Sequence, residues 1–138
     1  MKNNLFMVSV LLLLGISTAS CGQKSGETQT QSGSELTVQE FANELKRDST
    51  IQLVDVRTWG EYMTSHLKNA SWYDFYKPDF KEKIAELDKS KPVYLYCASG
   101  RRSYESMQIL NSLGYTKVVH LIGGINAWNS EKMPVTRN

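Results

Sequence analysis

The pattern of apolar and polar residues divides the chain into three parts. Residues 5–16 form a nearly unbroken apolar run, residues 22–35 contain no apolar side chain, and from Leu36 onward apolar runs alternate with amphipathic segments. The first run is too short to span a bilayer with ease, but it suits the core of a signal peptide. The polar stretch buries too little surface to offset its ordering entropy, so we expect a flexible linker there.

The part that begins at Leu36 predicts alternating strands and helices. Thr37 and Glu40 match a capping box that opens the first helix, and Gly114 is placed to end a later one. In that later helix, Tyr104, Met107 and Leu110 form the expected buried stripe. The predicted strands are 51–56, 70–73, 93–96 and 117–122, and the other predicted helices are 59–65, 80–87, 103–113 and a last one around Ala127 and Trp128.

Strands that are apolar on both faces and separated by helices indicate a parallel sheet covered on both sides. The predicted class is therefore a three-layer α/β fold with a central parallel sheet of about five strands. We expect a signal peptide of the lipoprotein type over 1–20, a lipid-anchored linker over 21–35 and one folded domain over 36–138.

The expected cellular location of the protein depends on Cys21. Small residues precede this cysteine, which resembles the bacterial lipobox, although Thr18 stands where leucine is usual. We expect Cys21 to be lipidated, so that a lipid anchor binds the exported protein to a membrane of the bacterial cell envelope, with its domain in the periplasm. Ordinary signal cleavage nearby is the alternative.

Composition excludes several classes of partner. The chain has 16 basic and 14 acidic residues and no Lys/Arg block longer than a pair, which argues against nucleic acid. The two cysteines and two histidines are not arranged with metal-ligand spacing, so we expect no metal and no other cofactor. A disulfide between Cys21 and Cys97 is not expected, because Cys21 lies at a processing site.

The strongest candidate for chemistry is Cys97, which follows a predicted strand and precedes a predicted helix. We expect several N–H groups of residues 98–102 to converge on its sulfur, with Gly100 allowing the tight turn. The charges of Arg101 and Arg102 favour the nucleophilic thiolate. This interpretation requires that the thiol is not packed away from solvent.

Three kinds of cysteine chemistry fit less well. A cysteine protease needs a histidine base, but His66 lies in a predicted turn and His120 inside a strand, where a hydrogen-bonded core histidine is the simpler interpretation. A thioredoxin-like site needs a second cysteine that the loop lacks. A cysteine phosphatase or arsenate reductase needs one residue more between the cysteine and Arg102 to wrap a tetrahedral anion, whereas a shorter loop suits a single sulfur atom.

Three motifs in order carry a resemblance to a known family. Residues 97–102 form CxxGxR followed by Ser103, which resembles the active loop of single-domain rhodaneses. Residues 53–70 (LVDVRTWGEYMTSHLKNA) and residues 121–128 (LIGGINAW) are similar to the first and last signatures of that family. The exported chain most resembles the small periplasmic rhodaneses.

The resemblance implies a rhodanese-like fold and a sulfurtransferase. Cys97 would carry a persulfide, taking sulfur from a small anionic donor such as thiosulfate and passing it to a thiol or protein acceptor. A rhodanese-like module that binds or senses without turnover is the alternative. The implied substrate-binding residues are Ala98, Ser99, Gly100, Arg101 and Arg102, and the implied supporting residues are Asp55, Arg57 and Ser103.

Overall fold

A computed structural model describes residues 33–137 and shows the predicted α/β class. All neighbouring strands of its five-stranded sheet are parallel. The strands are β1 (Gly33–Leu36), β2 (Gln52–Asp55), β3 (Ser71–Trp72), β4 (Val93–Tyr96) and β5 (Val118–Leu121). The helices are α1 (Val38–Arg47), α2 (Trp59–Thr64), α3 (Phe80–Ile84), α4 (Arg101–Ser112) and α5 (Gly124–Ser130).

The sheet is covered on both faces, because successive side chains of its strands point to opposite sides. One face of the sheet packs against α1 and α5, where Phe41 and Trp128 are buried. The other face packs against α3 and α4, where Ile84 and Leu110 are fully buried. This is the three-layer arrangement that the apolar strands predicted.

The order of the strands reverses the direction of the chain connections between β2 and β4. The order is β1-β5-β4-β2-β3, so the chain leaves β2 toward β3 and leaves β4 in the opposite direction, toward β5. Ligands of open parallel sheets bind where such neighbouring connections diverge, beyond the carboxyl ends of the strands. Here that point lies between the ends of β2 and β4, next to Asp55 and Cys97.

The first strand was missed by the sequence analysis. Residues 33–35 belong to β1, which pairs with β5, and are therefore part of the sheet rather than of the predicted linker. Because β1 is an edge strand, backbone pairing holds it without requiring apolar side chains. The predicted signal peptide 1–20, Cys21 and the linker up to residue 32 lie outside the described residues.

Helix α4 also departs from the prediction. It begins at Arg101 rather than Ser103, and its buried side includes Ser103, Ser106, Met107 and Leu110. Tyr104 is 45% exposed, so its assignment to the core was wrong. Helical periodicity sets which residues share a face but not which face is buried. Here the small Ser106 lies on the buried side and Tyr104 does not.

The other elements lie close to their predicted positions, although several are shorter. Helix α3 ends at Ile84, three residues before the predicted end. The expected capping box is present, since the carboxylate of Glu40 accepts a hydrogen bond from the backbone N–H of Thr37 at 2.9 Å. Within residues 33–137, none of the helices combines the length and apolar character needed to cross a bilayer.

Candidate active site

Cys97 lies directly after β4, at the start of the loop that leads into α4. Its Sγ accepts a hydrogen bond from the backbone N–H of Gly100 at 3.1 Å and another from the hydroxyl of Ser103 at 3.6 Å. Gly100 has a φ of 105°, a left-handed conformation that glycine adopts at little cost, and this turn directs its N–H back to the sulfur. Both donors stabilise negative charge on the sulfur.

Two expectations about this thiol were wrong. Cys97 is only 1% exposed and packs with the core on the α3 and α4 face. Within residues 33–137, the hydrogen bonds to Sγ come from one amide and one hydroxyl rather than from several converging amides. The next two residues of the loop are more accessible, since Ala98 is half-buried and Ser99 is exposed.

Helix α5 holds the other side of the cysteine loop. The backbone N–H of Ile125 donates to the carbonyl oxygen of Cys97 at 2.8 Å, and that of Asn126 donates to the carbonyl oxygen of Ala98 at 3.0 Å. Gly124 makes this approach possible, because a Cβ at this position would overlap the Cys97 oxygen and lie 2.6 Å from the Ala98 oxygen. The Gly-Gly segment near the end of the chain therefore shapes the loop from outside it.

Arg102 does not have the free guanidinium that a substrate-binding role was expected to use. It makes two hydrogen bonds with Glu61 of α2, at 2.7 and 2.9 Å, and its side chain is 10% exposed. Glu61 also accepts hydrogen bonds from the N–H and hydroxyl of Thr58, the N-cap of α2. These contacts, that with Arg102 first, lower the pKa of Glu61 to about 2.

This pair connects the segments that follow β2 and β4. Sequence reasoning placed Glu61 in a family signature but gave it no partner. The spacing of Thr58 and Glu61 is that of a capping box, which is a signal for the helix start but not for the contact with Arg102. That contact depends on strand order, because β2 and β4 are neighbours in the sheet.

Arg101 is the more exposed of the two arginines at the site. Its guanidinium pairs with Glu105 one turn along α4, at 2.9 Å, and also lies 3.3 Å from the hydroxyl of Tyr76. The Arg101–Glu105 ion pair is exposed, so solvent screens it and it contributes little to stability. Arg101 is therefore the arginine whose charge is most readily available to a ligand at the loop.

Asp55 and Arg57, which the resemblance implied as supporting residues, form an ion pair at the end of β2. Their closest N–O distance is 2.6 Å, and both residues are buried. Burial lowers the pKa of Arg57, but the hydrogen bonds and charge of Asp55 raise it by more, so the net pKa lies above its ordinary value. Arg57 also donates to the carbonyl oxygen of Ser65 at 2.6 Å, which ties the end of β2 to the end of α2.

His120 of β5 lies closer to the site than the sequence analysis recognised. It is buried and hydrogen-bonded, as expected of a core histidine. Its Nδ1, however, lies 3.3 Å from the hydroxyl oxygen of Ser103, the same hydroxyl that contacts the Cys97 sulfur. No spacing along the chain indicated this proximity, because it arises from the pairing of β4 with β5.

These features define an α/β protein whose candidate site is a cysteine at the carboxyl end of a parallel strand, in a short loop that contacts α4 and α5. The model of the rhodanese-like domain matches residues 37–131. The chain therefore belongs to the rhodanese family, as the three sequence motifs indicated.

Curated relatives carry sulfurtransferase names. The chain is 34% identical over 87 residues to "Thiosulfate sulfurtransferase GlpE" of Coxiella burnetii, covering 63% of this chain and 79% of that protein. It is 30% identical over 115 residues to "Probable adenylyltransferase/sulfurtransferase MoeZ" of Mycobacterium tuberculosis, covering 83% of this chain and 29% of that longer protein. These relationships support sulfur transfer in general.

The fold is shared with solved structures. A rhodanese-related protein from Thermoplasma volcanium matches with a TM-score of 0.67 and 25% identity, covering 75% of this chain and 98% of the other. The parallel five-stranded sheet and its helices are thus those of the rhodanese-like fold.

Gly124→Ala tests the role of α5 in shaping the loop. The added Cβ overlaps the Cys97 and Ala98 carbonyl oxygens, so we expect the two N–H bonds to be lost and stability to fall by about 2 kcal/mol or more. Urea unfolding measures the loss. Gly60→Ala is the control, because a Cβ at position 60 meets nothing within 4 Å and should improve the helix. Equal stability of the two variants would contradict the proposed fit.

Glu61→Gln tests the ion pair with Arg102. The folded-state pKa of about 2 lies below the ordinary 4.5, so the ionised carboxylate stabilises the fold fully above pH 4.5 and loses that effect as the pH falls toward 2. We expect the variant to be less stable by about 2 kcal/mol at neutral pH, with the difference shrinking between pH 4.5 and 2. Urea unfolding across that range measures it.

Glu44→Gln is the matched control for that experiment, since Glu44 pairs with the exposed Arg47. Its effect should stay below about 0.5 kcal/mol at every pH. A pH-independent deficit in Glu61→Gln would show that the carboxylate charge is not what stabilises the contact.

Proposed function

We propose that this protein moves a sulfane sulfur from thiosulfate, or a similar small anion, to a thiophilic acceptor through a persulfide on Cys97. The observation that carries the proposal is the pair of donors on the Cys97 sulfur, the Gly100 amide and the Ser103 hydroxyl. A cysteine that only fills space in a core needs no such donors. The name of the Coxiella burnetii relative supports thiosulfate as the donor.

The first half of the reaction loads the enzyme. The Cys97 thiolate attacks the outer sulfur of thiosulfate, a new S–S bond forms, and the S–S bond of the donor breaks as sulfite leaves with the electron pair. The Gly100 amide and the Ser103 hydroxyl stabilise charge on the sulfur before and after the attack. In the second half, an acceptor thiolate or cyanide takes the outer sulfur, and Cys97 leaves as a thiolate.

The anionic part of the donor meets positive groups at the start of α4. The N–H groups of a helix's first turn have no acceptor within the helix, and the helix dipole favours an anion there. Arg101 adds an exposed positive charge at the same end. We assign the holding of the sulfonate to Arg101 and these amides, and to Arg102 the task of fixing α4 against α2 through Glu61.

A binding or sensing module without turnover is the second candidate, and the burial of Cys97 favours it. At 1% exposure, the sulfur admits a donor only if the loop yields by a small local movement. Incubation with thiosulfate decides between the two candidates, because a module without turnover does not acquire sulfur.

Cys97→Ser tests the persulfide. Incubated with thiosulfate, the wild-type protein should gain the mass of one sulfur atom, and cyanide should remove that mass with the appearance of thiocyanate. Cys97→Ser should gain nothing, because serine oxygen does not accept a sulfane sulfur. Intact-protein mass spectrometry measures both steps. Cys21→Ser is the matched control and should load like the wild type.

Two results would count against the assignment. If Cys97→Ser gained the same mass as the wild type, the sulfur would be carried elsewhere. If the wild type neither loaded nor turned over a series of sulfane donors, the binding module would be the better description.

We also propose that the domain is anchored to a membrane of the cell envelope through lipidated Cys21, facing the periplasm. The support is the order of an apolar run, a cysteine after small residues and a polar stretch. Expressed in a bacterium, the wild type should partition with the membrane fraction and into detergent, and Cys21→Ser should partition into the aqueous fraction. Equal partitioning of the two proteins would contradict lipidation at this residue.

A further inference from the structure

Four side chains form a continuous line from solvent to the buried sulfur. The Oε1 of Glu35 lies 3.0 Å from the Nε2 of His120, and the Nδ1 of His120 lies 3.3 Å from the Oγ of Ser103. That Oγ lies 3.6 Å from the Sγ of Cys97. Glu35 is exposed, whereas the other three residues are buried, so the line connects the solvent with the sulfur through the protein.

The contact with Glu35 determines which nitrogen of His120 faces the site. A carboxylate only accepts hydrogen bonds, so Nε2 carries the hydrogen that this contact requires. In the neutral imidazole, Nδ1 is then an acceptor, and it points to Ser103. His120 is thus held in the tautomer that is able to take a proton from the side of Cys97.

The hydroxyl of Ser103 has one hydrogen and three acceptors within reach. These are the carbonyl oxygen of Gly100 at 3.0 Å, the Cys97 sulfur and the Nδ1 of neutral His120. When His120 is protonated, Nδ1 becomes a donor to Ser103, and the hydroxyl hydrogen is available to the sulfur. The Ser103 hydroxyl can therefore form a hydrogen bond with His120 whether the imidazole is neutral or protonated.

We propose that His120 acts through Ser103 as the proton acceptor and donor for Cys97, with Glu35 positioning the imidazole. In the forward step the S–H bond of Cys97 breaks and its proton goes to Oγ of Ser103, while the hydroxyl's own proton goes to Nδ1 of His120. The products are a thiolate and an imidazolium that faces the Glu35 carboxylate. The reverse step returns the proton after the acceptor has taken the sulfur. The relay has a role in catalysis only if Cys97 reacts as proposed above.

Other charged and titratable groups around the relay are few. On α4, the Arg102 guanidinium interacts electrostatically with Cys97, and Glu61 of α2 pairs with that guanidinium. The ring of Tyr104, also on α4, meets His120 edge-on at 5.5 Å between centroids. Arg102 is already protonated and cannot accept a proton, so the proton acceptor of the proposed relay is His120.

The test is the pH dependence of Cys97 alkylation by iodoacetamide, measured on the full chain by mass spectrometry of the peptide that contains Cys97. Free glutathione, alkylated in the same sample, is the internal reference. We expect Ser103→Ala and His120→Gln to move the midpoint of the rate to higher pH and to slow alkylation near neutral pH at least about tenfold. Glu35→Gln, at the exposed end, should shift it in the same direction by less.

Two controls separate a relay from a purely structural histidine. His66→Gln changes the chain's other histidine, which is also buried but bonds through Nδ1 to the Tyr62 carbonyl oxygen, and it should leave the profile unchanged. The double variant Ser103→Ala/His120→Gln should be no slower than the slower single variant, because both substitutions interrupt one path.

The outcomes are distinguishable from those of the persulfide experiment, since alkylation requires no sulfur donor. Shifted, non-additive profiles support the relay whether or not thiosulfate loads the protein. Wild-type profiles in Ser103→Ala and His120→Gln, or effects that multiply in the double variant, overturn the relay even where the persulfide forms. If His120→Gln is unfolded by circular dichroism, Glu35→Gln and Ser103→Ala decide by the same criterion.

Discussion

The cysteine loop depends on a backbone clamp. The amides of Ile125 and Asn126 bind the carbonyl oxygens of residues 97 and 98, and this contact is possible only because position 124 has no side chain. These hydrogen bonds hold the two carbonyl groups. The chain then turns through the left-handed conformation of Gly100, which brings the Gly100 amide to the sulfur. The rest of the site is built on this fixed turn, including the start of α4 and the position of Ser103.

Charge around the loop is arranged so that most of it is neutralised by a partner. Asp55 is paired with Arg57 at the end of β2, and Glu61 of α2 is paired with Arg102 of α4. In each pair, the attraction between opposite charges offsets part of the free energy lost when the ions leave water. The pairs also fix the geometry of the segments that follow β2 and β4. Arg101 also has a carboxylate partner, Glu105, but both side chains of that pair are exposed. The two adjacent arginines therefore differ in their surroundings: Arg102 is largely buried against Glu61, and Arg101 is exposed.

Burial of the sulfur sets the conditions for chemistry. In a water-poor environment an unpaired thiolate is costly, so its hydrogen bonds and a nearby path for its proton matter more than they would at the surface. The line from Glu35 through His120 and Ser103 provides such a path without exposing the sulfur.

The sequence by itself determined the α/β class and the positions of four of the five strands, and it singled out Cys97 as the candidate for chemistry. It did so because buried strands are apolar, because capping residues mark helix starts, and because the CxxGxR loop is a local feature whose residues are adjacent in the chain. The exposure of Tyr104 was missed, since helical spacing does not say whether a small residue such as Ser106 takes the buried side.

Only the tertiary structure decided which distant groups meet at the sulfur. Strand β1 has a single apolar residue, Leu36, and is recognised only by its backbone pairing with β5, which brings Glu35 to His120. The neighbouring positions of β2 and β4 bring Glu61 to Arg102. These contacts join residues tens of positions apart, and strand order, which no local pattern encodes, determines them.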